Sequence, residues 1–165
     1  MKIDLKELQK VQLELDININ ERHATSYETT KDERLLALLV EVAELANATR
    51  TFKYWSLKGS EDRSTLLEEY ADGLHFLLSL SLAYKLELPI FEVNISDKEK
   101  TLTEAFLDTF KAIDTFNKRR CRGSLKRAFE EFLRLGLYLS FSSKDIIDAY
   151  YDKIKINYKR QEENY

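Results

Sequence analysis

Cysteine is almost missing from this chain, where Cys121 stands alone. One thiol can build neither an internal disulfide nor a thiolate zinc site, so packing must hold the fold together and a disulfide scaffold is excluded. Histidine is nearly as scarce, with only His23 and His75. That shortage of soft donors directs any metal site toward oxygen ligands and a hard cation. Pro89 is the single proline, and there are four glycines in 165 residues. With so few breakers, long helices and few turns are expected. No apolar run reaches the ~20 residues of a membrane span. The opening Met1-Lys2-Ile3-Asp4-Leu5 also lacks the apolar stretch of a secretory leader. The expectation is a cytoplasmic protein with no membrane partner. A net charge of −3 argues against a sequence-independent nucleic-acid binder. Only Lys118-Arg119-Arg120-Cys121-Arg122, continued by Lys126 and Arg127, is locally basic, and beside Gly123 it reads as a solvated loop.

What is abundant is helix-forming sequence. The length suits one domain over residues 1–165. Leu5, Leu8, Val11, Leu15 and Ile19 share one face of a helix expected over about residues 4–19. After a polar loop from Asn20 to Thr29, Thr30 and Glu33 match a capping box that opens a helix fading near Phe52. A long apolar helix is expected from about Glu61 to Leu86, stopping before Pro89. Ser96 and Glu99 form a second capping-box pattern for a helix to about Asn117. Gly123 marks the break before Leu125, Phe129, Phe132 and Leu133, and a last helix from near Ser143 turns Ile146, Ile147, Tyr150 and Ile154 inward. Strand signals are nearly absent, and the sum is an all-α bundle of about five to six helices.

Acidic pairs spaced i, i+3 lie one turn apart on one helix face and can grip a divalent cation together. The chain has four: Asp4/Glu7, Glu41/Glu44, Glu69/Asp72 and Asp145/Asp148. The outer two sit in first helical turns among polar neighbours, where carboxylates favour the positive end of the helix dipole, and are assigned to solvent. Glu41 and Glu44 are instead set in Leu38-Leu39-Val40-Glu41-Val42-Ala43-Glu44-Leu45, and Glu69 and Asp72 precede Gly73-Leu74-His75-Phe76-Leu77-Leu78. Carboxylates in such surroundings are costly unless paired, hydrogen-bonded or bound to metal. No basic residue lies between Arg34 and Arg50. A divalent cation such as Mg²⁺ is the simplest compensation, and lysines or arginines from other helices are the alternative. A metal held there would suit phosphate chemistry, with a carboxylate not fully used as ligand accepting a proton from water. Gly73 within a long helix signals close approach of either a nucleotide or a neighbouring helix.

These motifs resemble those of the dimeric all-α dUTPases, within the wider group of all-α NTP pyrophosphatases that includes the MazG-type enzymes. Glu41-x-x-Glu44 and Glu69-x-x-Asp72 match the superfamily, and Phe52-Lys53-Tyr54-Trp55 and Leu74-His75-Phe76 resemble extensions of the dUTPase branch. Lys153-x-x-x-Asn157-x-x-Arg160-Gln161 with Tyr165 is similar to the family's phosphate-binding block, and Gln12-x-x-Leu15-Asp16 to its base-contacting segment. The chain differs from the usual pattern at Asp16, Ile154 and Asn164. The resemblance implies a helical homodimer that hydrolyses dUTP to dUMP and pyrophosphate with Mg²⁺. By it, Glu41, Glu44, Glu69 and Asp72 are the metal ligands, with Glu41 or Glu44 as base. Lys53, Lys153, Asn157, Arg160 and Tyr165 meet phosphate, and Gln12, Asp16, Trp55, His75 and Phe76 meet the nucleoside. From spacing alone, Lys153, Asn157 and Arg160 form one polar stripe, suited to an oxyanion or to solvent. His75 is then a nucleotide contact or a satisfied core residue. Phe76 and Trp55 are base-stacking or core aromatics. A broader house-cleaning pyrophosphatase acting on dCTP or modified nucleotides is the enzymatic alternative. A helical interaction module without turnover is the non-enzymatic one.

Overall fold

The computed structural model describes residues 1–95 and 100–163. Within them lie six helices: α1 (Lys6–His23), α2 (Lys31–Thr49), α3 (Arg63–Ala83), α4 (Leu102–Arg119), α5 (Arg122–Tyr138) and α6 (Ser143–Glu162). The all-α expectation is met, with one addition. Lys2–Asp4 (β1) and Ile90–Glu92 (β2) pair antiparallel, with Ile3 opposite Phe91. Both of these apolar side chains are buried, and their charged neighbours face outward, which is the alternation of a half-buried ribbon. At three residues each, the strands are too short for that period to stand out in the sequence.

Helix starts follow side-chain capping where a hydroxyl is well placed. Thr101 and Glu104 close a reciprocal capping box on α4, and Ser142 and Asp145 do the same on α6. The expected Ser96/Glu99 box lies outside the described residues. Thr30 precedes α2 but makes no side-chain cap; its hydroxyl donates to Ser26 O and accepts from Arg34 Nε at 2.9 Å. The capping-box expectation there is overturned because Arg34 takes up the hydroxyl. Helix ends do not use glycine at all. The first five helices are each followed within two residues by a non-glycine residue with positive φ: Ala24, Arg50, Lys85, Arg120 and Ser140. Each such residue costs about 1–2 kcal/mol relative to glycine.

α2 and α3 pack along one another as an antiparallel pair; α6 and α1 contact α3 and each other, and the α4–α5 hairpin meets the pair through α4 against α2 and α5 against α3. The shared core joins Leu38, Val42 and Leu45 of α2 to Tyr70, Leu74 and Leu77 of α3, Phe129 and Phe132 of α5, and Tyr150 of α6, all fully buried. Burial at about 1.5–3 kcal/mol per large side chain makes this packing the main source of stability. Gly73 belongs to it. A Cβ at this position would lie 2.9 Å from Phe132 Cζ, and Phe132 is itself stacked on Tyr70 at 4.3 Å. The missing side chain therefore admits a neighbouring helix. No helix among the described residues is long and apolar enough to cross a membrane.

Candidate active site

The two central acidic pairs face one another because they occupy matching turns of antiparallel α2 and α3. One carboxylate oxygen from each of Glu41, Glu69 and Asp72 lies within 4.8 Å of the others, and the three side chains are half-buried. Burial, then the charges of Asp72, Glu44 and Glu69, push the Glu41 carboxyl up to about 7. Glu69 is raised by burial and by Glu44 and Asp72. Asp72 is raised by burial in spite of Lys153, whose Nζ sits 2.6 Å from its Oδ2. Lys153 also reaches Glu68 at 2.9 Å. Burial works against its ammonium, but the two carboxylates more than compensate and hold its pKa above that of an ordinary lysine. Three crowded carboxylates that resist ionisation form an oxygen-only donor set for a hard divalent cation.

The trio opens into a cavity of about 590 Å³ walled by α1, α2, α3 and α6. Lys153, Asn157 and Arg160, at i, i+4 and i+7 along α6, all line it, so the polar stripe points inward. Glu44 is more exposed, lines the same cavity and stands outside the trio. At the far end lies a buried polar floor. Asp16 accepts from Gln12 Nε2 (2.9 Å), Tyr27 OH (2.9 Å) and Ser79 Oγ (2.6 Å), and pairs with Arg34 Nη1 at 3.3 Å. Gln12 Oε1 is 2.7 Å from His75 Nδ1. Burial, with a smaller effect of the Lys153 charge, depresses the His75 imidazole to about 3, so it is neutral. Tyr150 stacks on its ring at 4.3 Å. One end of the cavity thus gathers carboxylates that could hold a cation, and the other presents a fixed pattern of donors and acceptors around the Asp16–Arg34 pair, with Phe76 also in the wall.

A family model described as dUTPase matches residues 4–165. The chain belongs to the dUTPase family. No curated protein matches it closely enough to count as a relative. Membership assigns the activity as well: the protein is a dUTP diphosphatase, and dUTP-type nucleotides are its substrates.

Of the residues singled out in this dUTPase from sequence, the cavity brings together Gln12, Asp16, Glu41, Glu44, Glu69, Asp72, His75, Phe76, Lys153, Asn157 and Arg160. Lys53 and Trp55 are not among its walls. They sit on the turn after α2, Lys53 over the Phe52 ring and Trp55 65% exposed with its edge against Tyr54. Tyr165 lies outside the described residues. The basic segment from Lys118 to Arg127 is not the expected loop but the end of α4 and the start of α5, broken only at Arg120 and Cys121, and it does not line the cavity. Within it, Lys118 pairs with Asp114, Arg120 with Asp32, and Arg127 with Glu130 and Glu131.

Several wall residues escaped the sequence reading. Glu68 is four residues before Asp72 and so shares its helix face; the i, i+4 spacing is the signal that marks it. Ser79, a turn beyond His75 in an otherwise apolar helix, was visible in the same way. Arg34 in the wall, and Tyr27 and Tyr150 bonded to the floor from behind it, carry no local signal for the site, because each joins it through a tertiary contact with Asp16 or Gln12.

Proposed function

We propose that this dUTPase cleaves dUTP to dUMP and pyrophosphate with Mg²⁺ held between α2 and α3 by Glu41, Glu69 and Asp72. The donor set fits that ion: carboxylate oxygens only, convergent, and mutually repulsive until a cation neutralises them. When bound, Mg²⁺ neutralises phosphate oxygens and makes a coordinated water more acidic. Glu44 lines the cavity without belonging to the trio, which leaves its carboxylate to take the proton from the attacking water. Lys153, Asn157 and Arg160 meet the phosphate chain from α6, and Lys153 exchanges a carboxylate partner for a phosphate oxygen. Gln12, Asp16, His75 and Phe76 shape the nucleoside end. Lys53 and Trp55, which lie off the cavity wall, take part by movement of the turn after α2 toward it or by reaching the site of a second subunit; Tyr165 keeps the phosphate role that the resemblance implies.

The observation that carries this reading is the shared cavity, with the carboxylate trio on one wall and the Lys153, Asn157, Arg160 stripe on another. Its test is pyrophosphate release from a panel of nucleotides with Mg²⁺. The reading expects turnover of dUTP, rejection of dTTP through its 5-methyl group and of dCTP through its exocyclic amine, and no turnover in EDTA. Equal turnover of dCTP and dUTP would instead favour a broader house-cleaning pyrophosphatase. The proposal extends to a homodimer. Leu36 and Val40 project from the outer face of α2, 63% and 43% exposed, and Leu13 and Ile17 are exposed at the same spacing on α1. A second copy would cover such apolar pairs, and a single-chain mass by light scattering at micromolar concentration would refute this.

A further inference from the structure

The hydrogen-bond polarity of the cavity floor is set by Asp16. A carboxylate only accepts, and this one is ringed by donors from Gln12, Tyr27, Ser79 and Arg34. The Gln12 amide must therefore turn its NH₂ toward Asp16 Oδ1, which sends its carbonyl toward His75 Nδ1 at 2.7 Å. An acceptor facing Nδ1 requires the proton on that nitrogen. Burial keeps the ring neutral, so Nε2 is left as a bare lone pair. Among the described residues, Nε2 is buried and makes no hydrogen bond of normal geometry, although the residue lines the cavity; the backbone of Tyr150 lies near enough to the ring to favour a proton on it slightly. A buried acceptor without a partner is costly, and a ligand donor would relieve that cost.

We propose that Asp16 is a positioning residue: through Gln12 it holds His75 in the Nδ1–H tautomer, so that Nε2 accepts a hydrogen bond from a donor on the nucleoside. Two groups of a deoxyuridine nucleotide offer that chemistry, the imide N3–H of the base and the 3′-hydroxyl of the sugar. The ligand half of the proposal rests on the nucleoside reading of the cavity given above, whereas the tautomer is a property of the free protein. Replacing Asp16 by Asn would reverse the relay. Tyr27, Ser79 and Arg34 would keep the Asn oxygen on their side, leaving its NH₂ to face Gln12. The Gln12 amide would then turn over and donate to Nδ1, and the proton would move to Nε2.

The test is long-range ¹H–¹⁵N correlation spectroscopy on the full-length protein labelled at histidine, with His23→Gln identifying the His75 signals. The expected spectrum shows a protonated Nδ1 and a lone-pair Nε2 in the wild type, and the opposite in Asp16→Asn. Should Asp16→Asn fail to fold, Gln12→Met removes the amide while keeping the Asp16–Arg34 pair, and it is expected to abolish the Nδ1–H preference. A wild-type spectrum with the proton on Nε2, turned to the backbone of Tyr150, overturns the proposal. So does an unchanged tautomer in both variants. For the ligand, dUMP, 3-methyl-dUMP and 3′-deoxy-dUMP are titrated calorimetrically. One of the two analogues is expected to bind about tenfold more weakly than dUMP and so to name the donor group, and dUMP is expected to lose about tenfold on Asp16→Asn. Equal affinity for all three overturns the ligand half. Failure to bind any of them, with the tautomer as expected, overturns the nucleoside reading of the cavity together with that half.

Discussion

Replacing Glu41 by Gln should move activity and stability in opposite directions. The Glu41 carboxyl sits at about 7, against 4.5 in the unfolded chain, because of burial and then of Asp72, Glu44 and Glu69. Between those two pH values the folded protein holds a proton that the unfolded chain has released, so stability falls as pH rises. Above pH 7 the whole cost is present. Taken at face value it is about 3 kcal/mol. Because Glu41 is only half-buried, screening by solvent reduces it to about 1–2 kcal/mol. A neutral amide of the same shape escapes it. In EDTA at pH 8, Glu41→Gln should melt about 3–6 °C above the wild type, and the gain should vanish near pH 4.5. With Mg²⁺, dUTP turnover should fall on the order of a thousandfold, since one of the three proposed ligands is lost. Thermal unfolding by circular dichroism and a pyrophosphate-release assay read both effects. A lower melting temperature in EDTA at pH 8, a gain that persists at pH 4.5, or activity within tenfold of wild type would each refute the reasoning.

Glu44→Gln should lower kcat by about 10²–10⁴-fold while the Mg²⁺ concentration giving half-maximal activity stays within about threefold; a large shift in that midpoint would make Glu44 a ligand instead. Lys153→Met leaves Asp72 and Glu68 without their partner and should destabilise the metal-free protein by about 3 kcal/mol in urea unfolding, with part of the loss restored by Mg²⁺. No change in stability would contradict the pairing. Gly73→Ala places a Cβ against Phe132, so it should cost about 1–2 kcal/mol even after the helix-propensity gain of alanine. A more stable Gly73→Ala protein would show that Phe132 has room to move.

Much of the site could be read from the sequence because its residues recur at helical spacing. Glu41/Glu44, Glu69/Asp72 and Lys153/Asn157/Arg160 each lie on one face of one helix, and an apolar setting marked the two central acid pairs as unusual. The helices themselves were legible from their apolar faces: Leu38, Val42 and Leu45, or Ile146, Tyr150 and Ile154, are buried as the period requires. Their ends were not. Glycine and proline were expected to punctuate the chain, yet α2 stops at Arg50 and α4 at Arg120 in left-handed conformations that nothing local announces. Gly123 lies in the first turn of α5 instead of before it. Partnerships across helices were equally hidden. That Lys153 pairs with Asp72, or that Arg34 reaches Asp16, depends on how α6 and α2 pack against α3 and α1, which periodicity does not encode.

The ammonium of Lys153 helps the carboxylate centre keep its shape. Because a tethered cation already offsets part of the negative charge between α3 and α6, chelation should yield an intact, dormant enzyme instead of a collapsed one. On the magnesium reading proposed above, enzyme stripped by chelation should regain its activity when the ion is added back, with no refolding step.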